Sequence, residues 1–303
     1  TGTTIGANGY LVLCEDTDKF NKVYPNISDK IGNIGFSLDN FGDSIYLFDN
    51  IGKNVVRFGF SDTTGWPQLA DGLGHTMEHK YDSAVYTYDT WFNGCLGGSP
   101  GKAFAPCNEP IVISEINYKS SNNADAGDWI ELYNSTSAAI NISKWHFKDE
   151  QDTDDYVIPN GTILSAKGYL VLVSDTTKFK DEYNNVSNFI GSFGFGLKSE
   201  GEILRLYDSV GNLKFNMLYG RHQPEWPYKP NGMGYTLEIE DTVLDYSSGD
   251  SWTTGCVMGS PGTDRVTCNY SLTVSEINYN MEASLSKGDY LELYNLILHS
   301  SDS

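Results

Sequence analysis

Positive charge is scarce in this sequence. Lys and Arg total 20 against 40 Asp and Glu, which gives a formal net charge of −20 over 303 residues. A surface this acidic repels phosphate backbones and anionic lipid headgroups, so binding to them would need a local basic patch, and the sequence has none. We therefore expect no nucleic-acid partner. The acidic charge instead favours solubility or the binding of divalent cations.

Long apolar runs are also missing. No stretch approaches the roughly 18 apolar residues of a membrane-spanning helix, so we expect no membrane insertion. The sequence has no initiator Met and no signal peptide, and it starts abruptly at TGTT. We interpret it as an internal fragment, truncated at both ends, of a longer protein with other domains. The missing signal peptide then says nothing about secretion.

Stretches rich in Ala, Leu, Glu and Lys are absent as well, whereas Gly (31) and Tyr (20) are frequent. This balance favours strands and turns over helices. Hydrophobic residues make up 39% of the chain, enough to bury large cores. We predict an all-β fold.

Internal repetition organises the chain, at a spacing of roughly 160 residues. Solenoid repeats are much shorter, so this spacing indicates a tandem array of whole domains. The matched pairs are NGYLVLCEDTDKF (8–20) with KGYLVLVSDTTKF (167–179), WFNGCLGGSPG (91–101) with WTTGCVMGSPG (252–262), IVISEINY (111–118) with LTVSEINY (272–279), and GDWIELYN (127–134) with GDYLELYN (288–295).

These matches set the domain boundaries if SEINY opens a unit and GSPG closes it. Residues 109–268 then form one complete domain, and residues 1–108 form a domain that lacks its first strands. Residues 269–303 are the opening strands of a third copy. They would complete the first domain, either by folding back or by exchange between chains.

Local patterns predict strands. Residues 170–173 form a short apolar run, and WIELYN (129–134) alternates as a half-buried strand does. Two strand-like runs flank Asp208–Asn212, a hairpin signal. Many short strands with Gly-rich turns predict a β-sandwich.

The order of these segments resembles the lamin-tail domain family. The series VISEINY, GDWIELYNST, ISKWHFKD, YVIPNGTILSAKGYLVLVSD and GEILRLYDSVGN carries the resemblance from residue 111 to about 215, and less sharply to 268. It implies an immunoglobulin-like β-sandwich. In bacteria, similar domains look like accessory modules of secreted or surface proteins, often beside nuclease, phosphatase or other hydrolase domains. The family has no catalytic constellation to carry over.

HTMEH (75–79) fits the zinc-protease pattern H-x-x-E-H, in which two His bind the metal and Glu activates water. Its counterpart YTLEI (235–239) alternates as a strand does. On a strand, His75 and His79 would lie roughly 13 Å apart, too far to share one zinc ion. We therefore interpret HTMEH as a strand without a metal site.

Cysteine spacing repeats between the copies, and no C-x₂₋₄-C pair of a zinc site occurs. The repetition predicts one disulfide per unit and an oxidising compartment, against the alternative of four unpaired thiols in a cytosolic protein. Cys14 has no cysteine at the corresponding position of the other copy, and we expect a buried thiol there. The two predicted pairs are Cys95 with Cys107 and Cys256 with Cys268.

Paired carboxylates are the catalytic candidates. Glu115, Asp128 and Glu131 fall on adjacent predicted strands, and a pair of carboxylates can cleave a glycosidic bond. An intrinsic enzyme would use Glu115 and Glu131. Repetition favours the alternative that these Glu residues sit at outward strand positions and pair across strands. The repeated set is Glu276, Asp289 and Glu292.

Asp152, Asp154 and Asp155 resemble the start of a calcium loop. Val157 and Ile163 stand where an EF-hand needs Gly and Glu, so any calcium site here would be of another type. The alternative is a solvated acidic turn. We expect no other cofactor.

Trp66-Pro67 and Trp226-Pro227 occur in both copies. Exposed tryptophans stack on sugar rings, which makes Trp66 and Trp226 a candidate glycan face. The alternative is that each ring packs over the end of its sandwich.

The leading hypothesis is a non-catalytic, extracellular or cell-surface β-sandwich protein for spacing, adhesion, or binding of a surface ligand or glycan. The other hypothesis is an accessory, targeting region of a secreted hydrolase or nuclease whose catalytic domain lies outside these residues.

Overall fold

The computed structural model describes residues 2–63, 65–80, 85–220, 226–240, 246–268, 270–279 and 288–295. These residues form many strands and two seven-residue helices, so the predicted all-β sandwich class is confirmed. The two helices were not predicted. Three short 3₁₀ turns lie at Gln68–Ala70, Tyr88–Thr90 and Gly249–Ser251.

The central segment, residues 109–268, contains strands β7 to β18 and helix α2. A six-stranded sheet has the order β14-β13-β8-β7-β17-β18, and a four-stranded sheet has the order β11-β10-β15-β16. The elements are β7 (Ile111–Asn117), β8 (Trp129–Asn134), β9 (Ile140–Asn141), β10 (His146–Lys148), β11 (Asp155–Val157), β12 (Ile163–Leu164), β13 (Tyr169–Val173), α2 (Thr176–Glu182), β14 (Phe189–Gly191), β15 (Glu202–Tyr207), β16 (Leu213–Tyr219), β17 (Tyr235–Ile239) and β18 (Trp252–Val257).

The main core lies between these two sheets. Ile116 and Leu132 of the larger sheet belong to the same buried cluster as Leu204 and Met217 of the smaller sheet. β15 and β16 pair antiparallel on either side of Asp208–Asn212, so the predicted hairpin is confirmed. Asp208 accepts hydrogen bonds from the backbone of Val210 and Asn212, which stabilises that turn.

The outer face of the six-stranded sheet is covered as well. Helix α2 begins after Asp175, whose side chain caps it by accepting from the backbone N–H groups of Thr177 and Lys178. Phe179 of α2 is fully buried and packs on Trp129 of β8, with ring centroids 6.1 Å apart. The prediction of a half-buried WIELYN strand was therefore wrong, because α2 and a loop cover the face that it left to solvent.

The described part of the N-terminal segment (residues 1–108) repeats the order of the central segment's later elements but forms only two-stranded pairs. Among the residues described, β1 pairs with β2, β3 with β4, and β5 with β6. The elements are β1 (Val12–Cys14), α1 (Thr17–Val23), β2 (Lys30–Gly32), β3 (Gly42–Phe48), β4 (Asn54–Ser61), β5 (His75–His79) and β6 (Trp91–Leu96).

The C-terminal segment supplies one antiparallel hairpin, β19 (Leu272–Asn278) and β20 (Tyr290–Asn295). In the described part of the chain, these strands pair only with each other. No helix among the described residues is long and apolar enough to cross a membrane.

The N-terminal and central segments touch near β5 and β16. Asn216 of β16 is buried, and its side-chain amide donates to the carbonyl oxygen of Leu73 at 2.9 Å. The imidazole of His75 also bonds to the side-chain oxygen of Asn216. His75, the first residue of HTMEH, therefore takes part in the contact between the N-terminal and central segments.

Candidate functional site

A row of three glutamates crosses the centre of the six-stranded sheet. On the outer face, Glu115 of β7 lies opposite Glu131 of β8 on one side and Glu238 of β17 on the other. All three are buried, with exposures of 2%, 1% and 2%. Glu115 and Glu131 thus occupy outward strand positions and lie opposite each other across the strands, but both are covered and buried.

A β-bulge sets this geometry. The register of β7 against β8 shifts between Ile113 and Glu115, so Ile113 and Ile116 both reach the core although they are three positions apart. Glu115 is left on the outer face. On β8, simple alternation places Glu131 there too, with Leu132 in the core.

The closing loop, residues 258–268, sits on top of the glutamate row. The backbone N–H of Ser260 donates to Glu115 at 3.0 Å, and that of Gly262 donates to Glu131 at 2.6 Å. The hydroxyl of Ser260 donates to Glu238 at 3.3 Å. Each of the three carboxyl groups therefore holds the loop to the sheet.

Neighbouring side chains on the sheet supply further bonds. The hydroxyl of Thr236 donates to Glu115 at 2.6 Å, and that of Ser114 donates to Glu131 at 2.7 Å. Arg265, half-exposed at the rim, lies 3.4 Å from Glu238 between Nε and Oε2. These are the contacts of a bonded structural network, in which both oxygens of Glu115 and Glu131 accept hydrogen bonds, whereas Oε2 of Glu238 has only the ion pair with Arg265.

Burial raises the pKa of every member of the row. The pKa of Glu131 rises to about 8, mainly through burial, with bonds from Ser114 and Gly262 acting in the opposite direction. Burial also raises the pKa of Glu115 well above its usual range, and the charges of Glu131 and Glu238 add to this. Burial is also the main cause of the raised pKa of Glu238. At neutral pH, Glu131 is therefore a neutral acid.

A cavity of about 220 Å³ lies beside the row. Its walls include the three glutamates together with Tyr133 and Arg265, and its lining is mainly polar. The cavity can take water or a very small polar molecule. A glycan chain needs a longer cleft.

Sequence reasoning found two members of the row and missed the third. Glu238 corresponds to Glu78, the Glu of HTMEH, and both follow a Thr by two positions. That repeated T-x-E pattern was the available signal. Asp128 lies elsewhere: its carboxylate accepts from the backbone of Leu197 at 2.8 Å and does not line the cavity.

HTMEH forms strand β5, as the sequence comparison predicted. The side chain of His75 bonds to the carbonyl of Gly94, whereas that of His79 bonds to the carbonyl of Val85. Within the described ranges, no group of three or more His, Cys, Asp or Glu side chains is arranged to hold a metal ion.

Both predicted disulfides are present in the structure. Cys95 and Cys107 have Cα atoms 5.3 Å apart, and Cys256 and Cys268 have Cα atoms 5.2 Å apart. Cys14 is the expected free, buried thiol. The second bond closes the loop that covers the glutamates.

Removing that bond is expected to destabilise the central segment. Cys256→Ser combined with Cys268→Ser should lower the free energy of unfolding by about 3 kcal/mol, as loop-closure entropy predicts for a loop of this size. Urea unfolding followed by the fluorescence of buried tryptophans measures this. A double variant as stable as the oxidised wild type would show that the loop stays closed without the bond.

The acidic segment at residues 152–155 separates its carboxylates. Asp152 pairs with Arg205 at 2.8 Å, and Asp155 pairs with His146 at 2.8 Å and Lys148 at 3.3 Å. The carboxylates of Asp152 and Asp155 are thus directed to different cations, and this geometry gives a shared calcium ion no support. Calcium binding by Asp152, Asp154 and Asp155 stays a prediction.

The two tryptophans that recur in the repeat pack inside their segments. Trp226 is buried, and its ring lies 5.8 Å from that of Trp252. Trp66 is half-buried and lies 6.5 Å from Trp91. The packing alternative therefore describes Trp226, whose ring has no open face of the kind that sugar stacking needs.

Comparison with known proteins gives one match. The family model of the Lamin Tail Domain matches residues 105–220, a stretch that includes Glu115 and Glu131 and ends before Glu238. No curated protein and no solved structure matches the chain.

Proposed function

We propose that this chain, with its lamin-tail-type sandwich at the centre, is a non-catalytic spacer of a secreted or cell-surface protein. Its units are of the bacterial type, stand in tandem, and hold other domains or a binding surface at a distance. The disulfides support an extracellular location, since such bonds persist in oxidising compartments.

The observation that carries this proposal is the structural role of the glutamate row, which bonds the closing loop to the sheet. A glycosidase needs one carboxyl group that is ionised as nucleophile or base and another that is protonated as acid. Here burial raises the pKa of both Glu115 and Glu131, and both are bonded to the closing loop. These carboxyl groups therefore attach the closing loop to the sheet through hydrogen bonds.

Catalysis by the row is tested by substitution. The 303-residue protein is expected to show no turnover of aryl glycosides, phosphomonoesters or phosphodiesters above a buffer blank. Glu131→Gln should leave that result unchanged and keep the sandwich folded. The exposed Glu182→Gln at the end of α2 is the matched control.

Measurable turnover that Glu131→Gln abolishes without lowering the melting temperature would contradict the proposal. Turnover that survives Glu131→Gln and Glu115→Gln would point to contamination or to another site, and the row would keep its structural role.

A further inference from the structure

Asn216 lies at the contact between the N-terminal and central segments. Its neighbours on β16, Phe215 and Met217, take the core face, so alternation puts the Asn216 side chain on the outer face of the four-stranded sheet. It is nevertheless only 2% exposed. Leu73 and His75 of the N-terminal segment lie against it and bond to its amide group. This polar contact is therefore shielded from solvent, where an unmatched donor or acceptor is costly.

The orientation of the Asn216 amide follows from its partners. The carbonyl oxygen of Leu73 accepts and cannot donate, so the atom 2.9 Å from it is the amide nitrogen of Asn216. The amide oxygen of Asn216 then faces Nε2 of His75. An amide oxygen also only accepts, so Nε2 of His75 carries a proton.

The other ring nitrogen of His75 has the same kind of partner. Nδ1 lies 2.7 Å from the carbonyl oxygen of Gly94 on β6, and this bond too needs a proton on the nitrogen. A neutral imidazole has one N–H group, whereas the imidazolium ion has two. Both bonds therefore form together only when His75 is positively charged. A neutral ring would place a lone pair against the oxygen of Gly94 or of Asn216.

The acidic groups around His75, among the described residues, favour its positive charge. Asp39 and Asp71 line the same cavity as His75. Glu109 is half-buried in the connection between β6 and β7. Burial raises the pKa of Glu109, and the charge of His75 lowers it. The imidazolium ion thus has carboxylates as its charged neighbours in the N-terminal segment and the connection.

The basic groups of the central segment near this contact are paired. Arg205 lies opposite Asn216 on β15, and its guanidinium group is 2.8 Å from the carboxylate of Asp152. Lys214, two positions before Asn216 on β16, lies 3.1 Å from Asp208. Each of these cations has its own carboxylate, so their repulsion of the charged ring is reduced.

His75 connects two parts of the chain that a disulfide also connects. Gly94, which accepts one of its bonds, precedes Cys95 on β6. Cys95 is bonded to Cys107, and Cys107 belongs to the buried core of the central segment. The disulfide and the connection to β7 hold the segments together but leave rotation about single bonds. The link through His75 and Asn216 restricts that rotation.

We propose that the charge of His75 holds the N-terminal and central segments in one relative orientation, and that loss of its proton as the pH rises releases them. Imidazoles gain and lose a proton between about pH 5 and 8. The released segments stay connected through the disulfide and sample several orientations. His75 has Tyr235 as its counterpart in the central segment, so the charged contact is not a property of the repeated fold. Such a pH-dependent junction is independent of whether the chain acts as a spacer.

The protonation of the ring is the first measurement. In the 303-residue protein labelled with ¹⁵N, long-range ¹H–¹⁵N NMR of the His side chains should show two N–H groups on His75 at about pH 5.5 and one at about pH 7.5. The His75→Phe variant assigns these signals by their loss. A His75 ring with a single N–H group at the lower pH would overturn the proposal.

The relative orientation of the segments is the second measurement. Residual dipolar couplings of backbone amides in both segments should fit one common alignment at about pH 5.5 and require two at about pH 7.5. His75→Phe keeps an aromatic ring but has no ring N–H group, so it should require two alignments at both pH values. Wild-type segments that share one alignment at both pH values, although the ring loses its proton, would overturn the proposal.

His79→Phe is the matched control. His79 is the other histidine of β5, and its Nε2 donates to the carbonyl of Val85 within the N-terminal segment. This variant should respond to pH as the wild type does. Asn216→Leu removes the partner on β16 and leaves His75 in place, so it should require two alignments at both pH values and tests the contact without altering the ring. A change of orientation with pH that survives in His75→Phe or Asn216→Leu would overturn the proposal, because other groups would then cause it.

Discussion

Glu131→Gln is expected to stabilise the protein at pH 8 and to reduce the dependence of its stability on pH. Burial raises the pKa of Glu131 to about 8 in the folded state, against a usual value of 4.5. The glutamine side chain is neutral at every pH: its oxygen can accept from the N–H of Gly262, and its amide can donate to the hydroxyl of Ser114, which reverses the direction of the bond between Ser114 and Glu131. No charge then has to be neutralised on folding.

The direction of the pH effect follows from proton binding. Between pH 4.5 and about 8, the folded state keeps a proton on Glu131 that the unfolded state has lost. The free energy of unfolding is therefore greatest below pH 4.5 and falls as pH rises to about 8, by about 1.4 kcal/mol per pH unit for this group. Asp128, with a pKa of about 6, and Glu202, with a pKa of about 7, act in the same direction because burial also raises their pKa values.

Thermal unfolding from pH 4.5 to 9 measures this for wild type, Glu131→Gln and the exposed control Glu182→Gln. The control should follow the wild type. The glutamine variant should melt above the wild type at pH 8, by about 2–4 °C per kcal/mol in a domain of this size, and the two should converge near pH 4.5. Parallel curves at all pH values would show that Glu131 is ionised in the folded state.

Gly259→Ala is expected to cause the largest loss of stability of any single change in the closing loop. Gly259 has φ +68, and a Cβ atom there would lie 2.0 Å from Oε1 of Glu115 and 2.8 Å from Cγ2 of Thr236. The carboxyl group would have to move, which breaks its bond to the backbone of Ser260. We expect a loss of roughly 3–5 kcal/mol in the free energy of unfolding.

Gly194→Ala separates the two causes. Gly194 also has a positive φ, +78, but nothing lies within 4 Å of the position of an added Cβ. This control should cost only about 1–2 kcal/mol, the penalty of the left-handed backbone alone. Urea unfolding compares the two variants. Equal losses would mean that the loop tolerates a methyl group against Glu115.

The repeat was the most informative part of the sequence, because the second copy tested each local pattern. YTLEI showed that HTMEH is a strand, and the structure places His75–His79 on β5. The shared Cys spacing likewise gave both disulfide pairs. These are properties that one segment of chain determines largely by itself.

The burial of the glutamates needed information from distant segments. The alternation on β8 correctly placed Glu131 and Ile130 on opposite faces of the sheet. It gave no information on which segments cover the outer face. The cover comes from α2 and from Ser260 and Gly262, more than 120 positions away along the chain. Helix α2 was missed because a seven-residue helix gives little periodicity. The Asp175 cap before TTKF was the available sign.

The disulfides also decide how the chain carries a pulling force. Cys107 stands just before β7, and it is bonded to Cys95 on β6, 12 positions earlier. Tension along the backbone therefore passes through the sulfur atoms, and the intervening loop stays slack. Reduction would release that loop and lengthen the connection between β6 and β7 by up to about 40 Å. In the oxidised protein, the connection that each disulfide closes does not lengthen under tension.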